Sequence, residues 1–189
     1  MAPNINGMFY CEHLSSDEHT LQQITLFKVK HPDAKNLELF LQNHAAAEET
    51  NNKNRTYLIK DRKTNEIVCY FSLRNGLFTI PNDYSQSFST VPAIELSNFA
   101  VNESYKQQYP KVHQLGAMTL RNFILPIVKQ IQEQSGVQAL YIYALPNDKL
   151  IEHYSSLGFM RFDPEEEAFI HNHVKPLYDK GCVFMCQGV

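Results

Sequence analysis

The spacing of hydrophobic positions changes several times along the 189 residues, and each change predicts an element. Residues 1–20 are polar and mixed, and read as an arm or a short helix ahead of a single domain over 21–189. Ile24 to Val29 reads as a strand. In NLELFLQNHAAAEE, Leu37, Phe40, Leu41, His44 and Ala45 recur at helical spacing. Arg55 to Lys60 and Glu66 to Leu73 read as the strands of a hairpin with DRKTN as its turn. Gly76 and Pro81 punctuate its exit, and the polar PNDYSQSFST follows.

VPAIELSNFAV, residues 91–101, is a strand with Pro92 confined to its first residues. The polar NESYKQQYPK leads into a long helix from about Val112 to Gln134, with Leu120, Ile124, Ile127, Val128 and Ile131 as its apolar stripe. Pro126 should kink or break that helix, and Ser135-Gly136 should stop it. VQALYIYAL is almost continuously apolar, as suits a strand covered on both faces. Asn147 to Leu157 is a short helix capped by Asn147 or Asp148, and Gly158 ends it. FMRF and CVFMCQ complete the strands, with the acidic DPEEE as a solvated loop between them. The pattern is that of a mixed α/β domain, strands first and then two β–α–β steps.

Composition narrows the classes. Hydrophobic residues at 43% and charged residues at 20% match an ordinary soluble domain, and no apolar run is long enough to span a membrane. The opening MAPNINGMFYCEHLSSDEHT has neither a basic nor an apolar signal region, so a cytoplasmic protein is expected. A net charge of −3 and a pI near 6.2 do not favour a large nucleic-acid footprint. The four cysteines lack the spacing of a disulfide framework or zinc ribbon and read as reduced thiols. His171 and His173 would share one face of a strand, but no third ligand cluster accompanies them and no metal site is expected.

Two stretches carry candidate chemistry. The unit from Glu95 to Leu125 is strand, loop and helix; a helix N-terminus offers unpaired amides to a phosphate, and Gly116 in its first turn allows close approach. In LIEHYSSLGF, Tyr154 stands four residues ahead of Gly158-Phe159 on a predicted helix. By itself that tyrosine reads as a half-buried helix residue with its hydroxyl in water.

Taken together, Glu95-Leu-Ser-Asn-Phe-Ala-Val101, Leu115-Gly116-Ala117 and N-D-K-L-I-E-H-Y-S-S-L-G-F resemble the GNAT acetyltransferase superfamily in order and spacing. Asn147, Leu150, Tyr154, Gly158 and Phe159 sit at the family positions, with Leu150 replacing the usual alanine. The likeness runs from about residue 20 to the C-terminus and is firmest from 91 to 162. It implies a GNAT-like α/β fold: a mixed, mostly antiparallel sheet with a central splayed parallel pair, 95–101 and 138–144, and helices on both faces.

The family's function is acetyl transfer from acetyl-CoA to a primary amine, without a metal. The resemblance implies that the pantetheine pairs with the backbone of Phe99, Ala100 and Val101. The pyrophosphate would rest on the amides of Gln114, Leu115, Gly116 and Ala117, with Lys111 at the family's Gln/Arg position, and Asn147 would hold the pantetheine or its loop. An amine with a pKa of about 10.4 must lose a proton before it attacks. Glu95 is then the general base, directly or through water, and Tyr154 the general acid for the leaving thiolate.

The loop departs from the pattern: Gln114 replaces the family's first glycine, QQYPK is surplus, and Lys106 is a second candidate for the Gln/Arg position. That departure leaves a second class open, an acyl-CoA-binding module without catalysis. The front half, NLELFLQNHAAAEETNNKNRTYLIKDRKTNEIVCYFSL, resembles the toxin branch that acetylates aminoacyl-tRNA, with Cys69 where that branch has glycine. The acidic pI does not favour tRNA, so a protein or small-molecule amine stays open as acceptor. A homodimer is compatible with the sequence.

Overall fold

A computed structural model describes residues 7–14, 18–82, 87–173 and 181–189. In chain order the elements are β1 (Phe9–His13), α1 (Glu18–Thr25), α2 (Lys35–Asn43), α3 (Ala45–Thr50), β2 (Arg55–Asp61), β3 (Ile67–Pro81), β4 (Phe88–Val101) and α4 (Glu103–Gln108). There follow α5 (Leu115–Thr119), a π turn (Leu120–Ile124), α6 (Leu125–Ser135), β5 (Ala139–Ala144), α7 (Asp148–Ser156), β6 (Met160–Arg161), α8 (Pro164–His173) and β7 (Val183–Gly188). The seven strands are ordered β1-β2-β3-β4-β5-β7-β6. The β4–β5 pair is parallel, whereas β1–β2, β2–β3, β5–β7 and β6–β7 are antiparallel. This is the mixed sheet expected of a GNAT-like fold. The chain falls into two compact units, Met1–Arg74 with Ser97–Pro126, and Asn75–Leu96 with Ile127–Val189.

The first unit closes over Leu14, Ile24, Phe27, Leu41, Leu58, Ile67, Tyr70 and Ala100. Burial of such side chains is worth about 1.5–3 kcal/mol each. Tyr70 keeps its hydroxyl satisfied by donating to the Leu37 carbonyl at 2.6 Å. The stretch expected as a strand, Ile24 to Val29, is instead the end of α1 followed by a segment without strand pairing. Polar side chains take its backbone groups: Val29 N–H donates to Glu38, Lys28 N–H to Asn102, and the Phe27 carbonyl accepts from Gln42. With those partners supplied, no neighbouring strand is needed. Residues 9–13, expected in an arm or short helix, form a strand in register with β2, Phe9 opposite Asp61. The helix expected through NLELFLQNHAAAEE breaks at His44, where φ is −122°.

NESYKQQYPK also differs from its expected loop. Asn102 caps α4 by accepting from Ser104 N–H, and Tyr105 anchors the helix, its hydroxyl 2.5 Å from Asp61 Oδ2. One buried residue in six gives too little periodicity to read as a helix in sequence. The long helix starts at Leu115 and runs through Pro126 to Ser135. Its π turn, closed by Leu125 N–H on the Leu120 carbonyl, lies where a proline ring would crowd the carbonyl four residues back in a regular helix.

The second unit packs Phe78, Ala93, Ala139, Tyr141, Ile170, Phe184 and Cys186 together. DPEEE opens α8 rather than a loop. Asp163 Oδ1 accepts from the N–H groups of Glu165 and Glu166 at 2.9 Å each, and the acidic first turn suits the helix dipole. His171 and His173 therefore lie on a helix, roughly 200° apart around its axis, not on one face of a strand. Gly76 and Pro81 do not end β3 at Leu73: the strand runs through Gly76 to Pro81.

Candidate active site

Glu95 lies on β4 directly opposite Tyr141 of β5. The parallel register covers Ala93–Ala139, Ile94–Leu140 and Glu95–Tyr141 and ends there, although β4 continues to Val101 and β5 to Ala144. Both side chains are buried, and the Tyr141 hydroxyl donates to Glu95 Oε2 at 3.0 Å. The Tyr141 ring sits among Phe78, Tyr143 and Phe184, with centroid distances of 6.0, 6.0 and 5.5 Å.

Farther along β4, Ser97 Oγ lies 2.8 Å from Asn54 Oδ1 and 3.2 Å from the Ser72 carbonyl. Phe99 and Val101 are half-buried, whereas the Ala100 side chain belongs to the core, so only its backbone has anything to offer a ligand. Beyond α4, Lys111 lies exposed in a turn, and Gln114 precedes α5 with φ 57° and ψ 31°. That left-handed conformation is what a glycine adopts without strain, and a residue with a Cβ adopts it at a cost of about 1–2 kcal/mol. The Gln114 carbonyl accepts from Met118 N–H at 2.9 Å, which leaves the amides of Leu115, Gly116 and Ala117 ahead of the helical ladder. The side chains of Leu115 and Ala117 are buried, so these residues too present backbone only.

Asn147 caps α7, its side chain accepting from Leu150 N–H at 3.2 Å. Tyr154 is buried on the same helix, its ring edge-on to Phe159 at a centroid distance of 5.5 Å. Its carbonyl accepts from the N–H groups of both Leu157 and Phe159. Gly158 between them has φ +101°, and a Cβ there would also stand 3.1 Å from Gln187 Oε1. The Y-x-x-x-G-F spacing thus has a local cause: the helix ends in a glycine-only turn that folds Phe159 back against Tyr154. Burial pushes the Tyr154 phenol up to about 12, so it carries its proton across the ordinary pH range.

Of the residues singled out in the sequence, Glu95, Asn147 and Tyr154 lie in the second unit, and Phe99, Ala100, Val101, Lys111 and Gln114 to Ala117 in the first. Tyr141 was not among them, and Gly76 read only as punctuation. The available signal was the glycine itself, since glycine inside a strand marks a bulge or a close approach. Among the described residues no three metal-ligating side chains cluster.

Neither a family model nor a curated protein matches the chain. Solved structures do. A tyrosine-to-phenylalanine mutant of KacT aligns with a TM-score of 0.64 at 18% identity, over 96% of this chain and 95% of that one. A similar mutant of the AtaT toxin, bound to the C-terminus of the antitoxin AtaR and acetyl-CoA, aligns at 0.62 and 19%, over 95% and 92%. AtaT complexed with acetyl-methionyl-tRNAfMet aligns at 0.62 and 23%, over 84% and 91%. The chain has a GNAT-like fold, shared with AtaT and KacT across most of its length.

Proposed function

We propose that the chain is an acetyl-CoA-dependent N-acetyltransferase acting on a primary amine by direct transfer. The observation that carries this reading is Tyr154: buried, held protonated, and set by its own helix end in the family's N-x-x-x-x-x-x-Y-x-x-x-G-F spacing. Like-folded AtaT has been captured with acetyl-CoA, and both AtaT and KacT as tyrosine-to-phenylalanine mutants. The amides of Leu115, Gly116 and Ala117 would receive the pyrophosphate, with Gln114 shaping the loop and Lys111 nearby in sequence. The Phe99–Val101 backbone would pair with the pantetheine, and Asn147, which caps α7, would hold the pantetheine or its loop.

In the reaction, Glu95 takes a proton from the amine, directly or through water, and the freed lone pair attacks the thioester carbon. The C–S bond then breaks. Tyr154, as general acid, gives its phenol proton to the departing thiolate and is restored by the proton that the amine released. The four free cysteines fit a reducing, cytoplasmic setting.

Release of CoA thiol from acetyl-CoA tests the assignment. Tyr154→Phe should abolish turnover while leaving acetyl-CoA affinity unchanged; full turnover in that variant contradicts the proton-donor role. As acceptor, aminoacyl-tRNA has one specific observation in its favour, the AtaT complex with acetyl-methionyl-tRNAfMet. The net charge of −3 weighs the other way. Methionyl-tRNA beside small amines and protein amino groups separates the acceptors.

A further inference from the structure

Gly76 stands inside β3, where glycine weakens a strand unless something demands it. Backbone conformation does not demand it, because the described glycines with positive φ are Gly136, Gly158 and Gly181. Space does. A Cβ at position 76 would lie 2.2 Å from the Tyr141 hydroxyl oxygen and 3.0 Å from two of its ring carbons. The missing side chain at 76 is thus the room in which the Tyr141 hydroxyl reaches Glu95.

From this geometry we infer that Tyr141 is a positioning residue for the proposed base Glu95, and that Gly76 is the residue that permits it. The inference rests on Glu95 acting as the base. Tyr141 is fixed on two sides: its ring is wedged among Phe78, Tyr143 and Phe184, and its backbone is locked in register with β4 at Glu95 and with β7 at Cys186. A donor held this way restricts the rotamers open to the carboxylate. Geometric preorganisation of that kind is worth about 10- to 100-fold in rate. All three residues lie in one compact unit, Asn75–Leu96 with Ile127–Val189. The same logic makes Gly76 and Tyr141 a coupled pair: a side chain at 76 and loss of the hydroxyl at 141 should have the same consequence.

The test compares wild type, Tyr141→Phe, Gly76→Ala, Glu95→Gln and the Tyr141→Phe/Glu95→Gln double variant. Turnover is read as thiol release from acetyl-CoA with methionyl-tRNA as the amine probe. Tyr141→Phe and Gly76→Ala should each lower kcat about 10- to 100-fold with little change in KM for acetyl-CoA. In the Glu95→Gln background, Tyr141→Phe should cost nothing further. Carbon-13 NMR of glutamate-labelled protein supplies a readout independent of the acceptor. The Glu95 carboxyl resonance, assigned by its loss in Glu95→Gln, should move in Tyr141→Phe and in Gly76→Ala while the remaining glutamates stay in place. An unmoved resonance, or a Tyr141→Phe loss that persists in the Glu95→Gln background, overturns the positioning role and leaves the base role standing. Wild-type turnover retained in Glu95→Gln removes the base role itself, and the inference with it.

Discussion

Two buried glutamates, one in each unit, show how differently the same side chain can be used. Glu38 on α2 is held by the ammonium groups of Lys28, at 3.1 Å, and of Lys35, and by the N–H of Val29 at 3.1 Å. Burial pushes its carboxyl up, but the bonds from Lys35, Val29 and Lys28 outweigh that and hold it below the usual carboxylate range. Glu95 on β4 is instead addressed by a neutral phenol, Tyr141. A carboxylate between two ammonium groups is a fastener, fixing the segment between α1 and α2. The Tyr141 hydroxyl instead fixes how the Glu95 carboxylate is turned. Burial alone does not tell the two apart; Glu38 accepts from two ammonium groups, and Glu95 accepts from a phenol.

Substituting each glutamate in turn separates the two roles. Glu95→Gln should lower kcat by about two to four orders of magnitude, the usual weight of a general base. Its stability should change little, because the amide oxygen still accepts from Tyr141. Steady-state kinetics beside thermal unfolding reads both. Glu38→Gln should do the reverse: turnover intact, stability lower by about 1.5 kcal/mol, modest because Lys28 and Lys35 are half-exposed. If both variants lose activity equally, the distinction fails.

Acid titration sharpens it further. A carboxyl whose folded value lies below its unfolded one adds stability that is complete above the unfolded value and lost as pH falls through the folded one. Glu38 therefore destabilises the protein as pH drops below about 4.3, and denaturant unfolding of Glu38→Gln should show a shallower acid slope. Asp61 adds to the same limb, its carboxyl raised by burial but lowered overall by bonds from Tyr105 and the amides of Lys63 and Thr64. The smallest expected effect is at Gln114. Gln114→Gly relieves the left-handed strain and should raise stability by about 0.5–1 kcal/mol in denaturant unfolding, with acetyl-CoA affinity no weaker.

What the sequence carried divides along a physical line. Strands β2, β4 and β5 and helix α7 were legible because their apolar patterns and caps are local, as with Asn147 on the Leu150 amide. The Tyr154 motif was legible for the same reason, its spacing written by one helix end. Segments 26–29, α4 and α8 were not, because polar contacts decide them. Glu38, Gln42 and Asn102 hold the first, Asn102 and Asp61 the second, and Asp163 caps the third. The Gly76–Tyr141–Glu95 constellation lay further out of reach, since it joins three strands across 65 residues of chain and shows only as an unexplained glycine.

Isothermal titration of the protein with acetyl-CoA, with CoA and desulfo-CoA as controls, tests whether the chain binds the proposed acetyl donor. Micromolar binding of the acetylated form is the expected result. No detectable binding up to millimolar concentrations would contradict the acetyltransferase reading and leave a fold without its co-substrate.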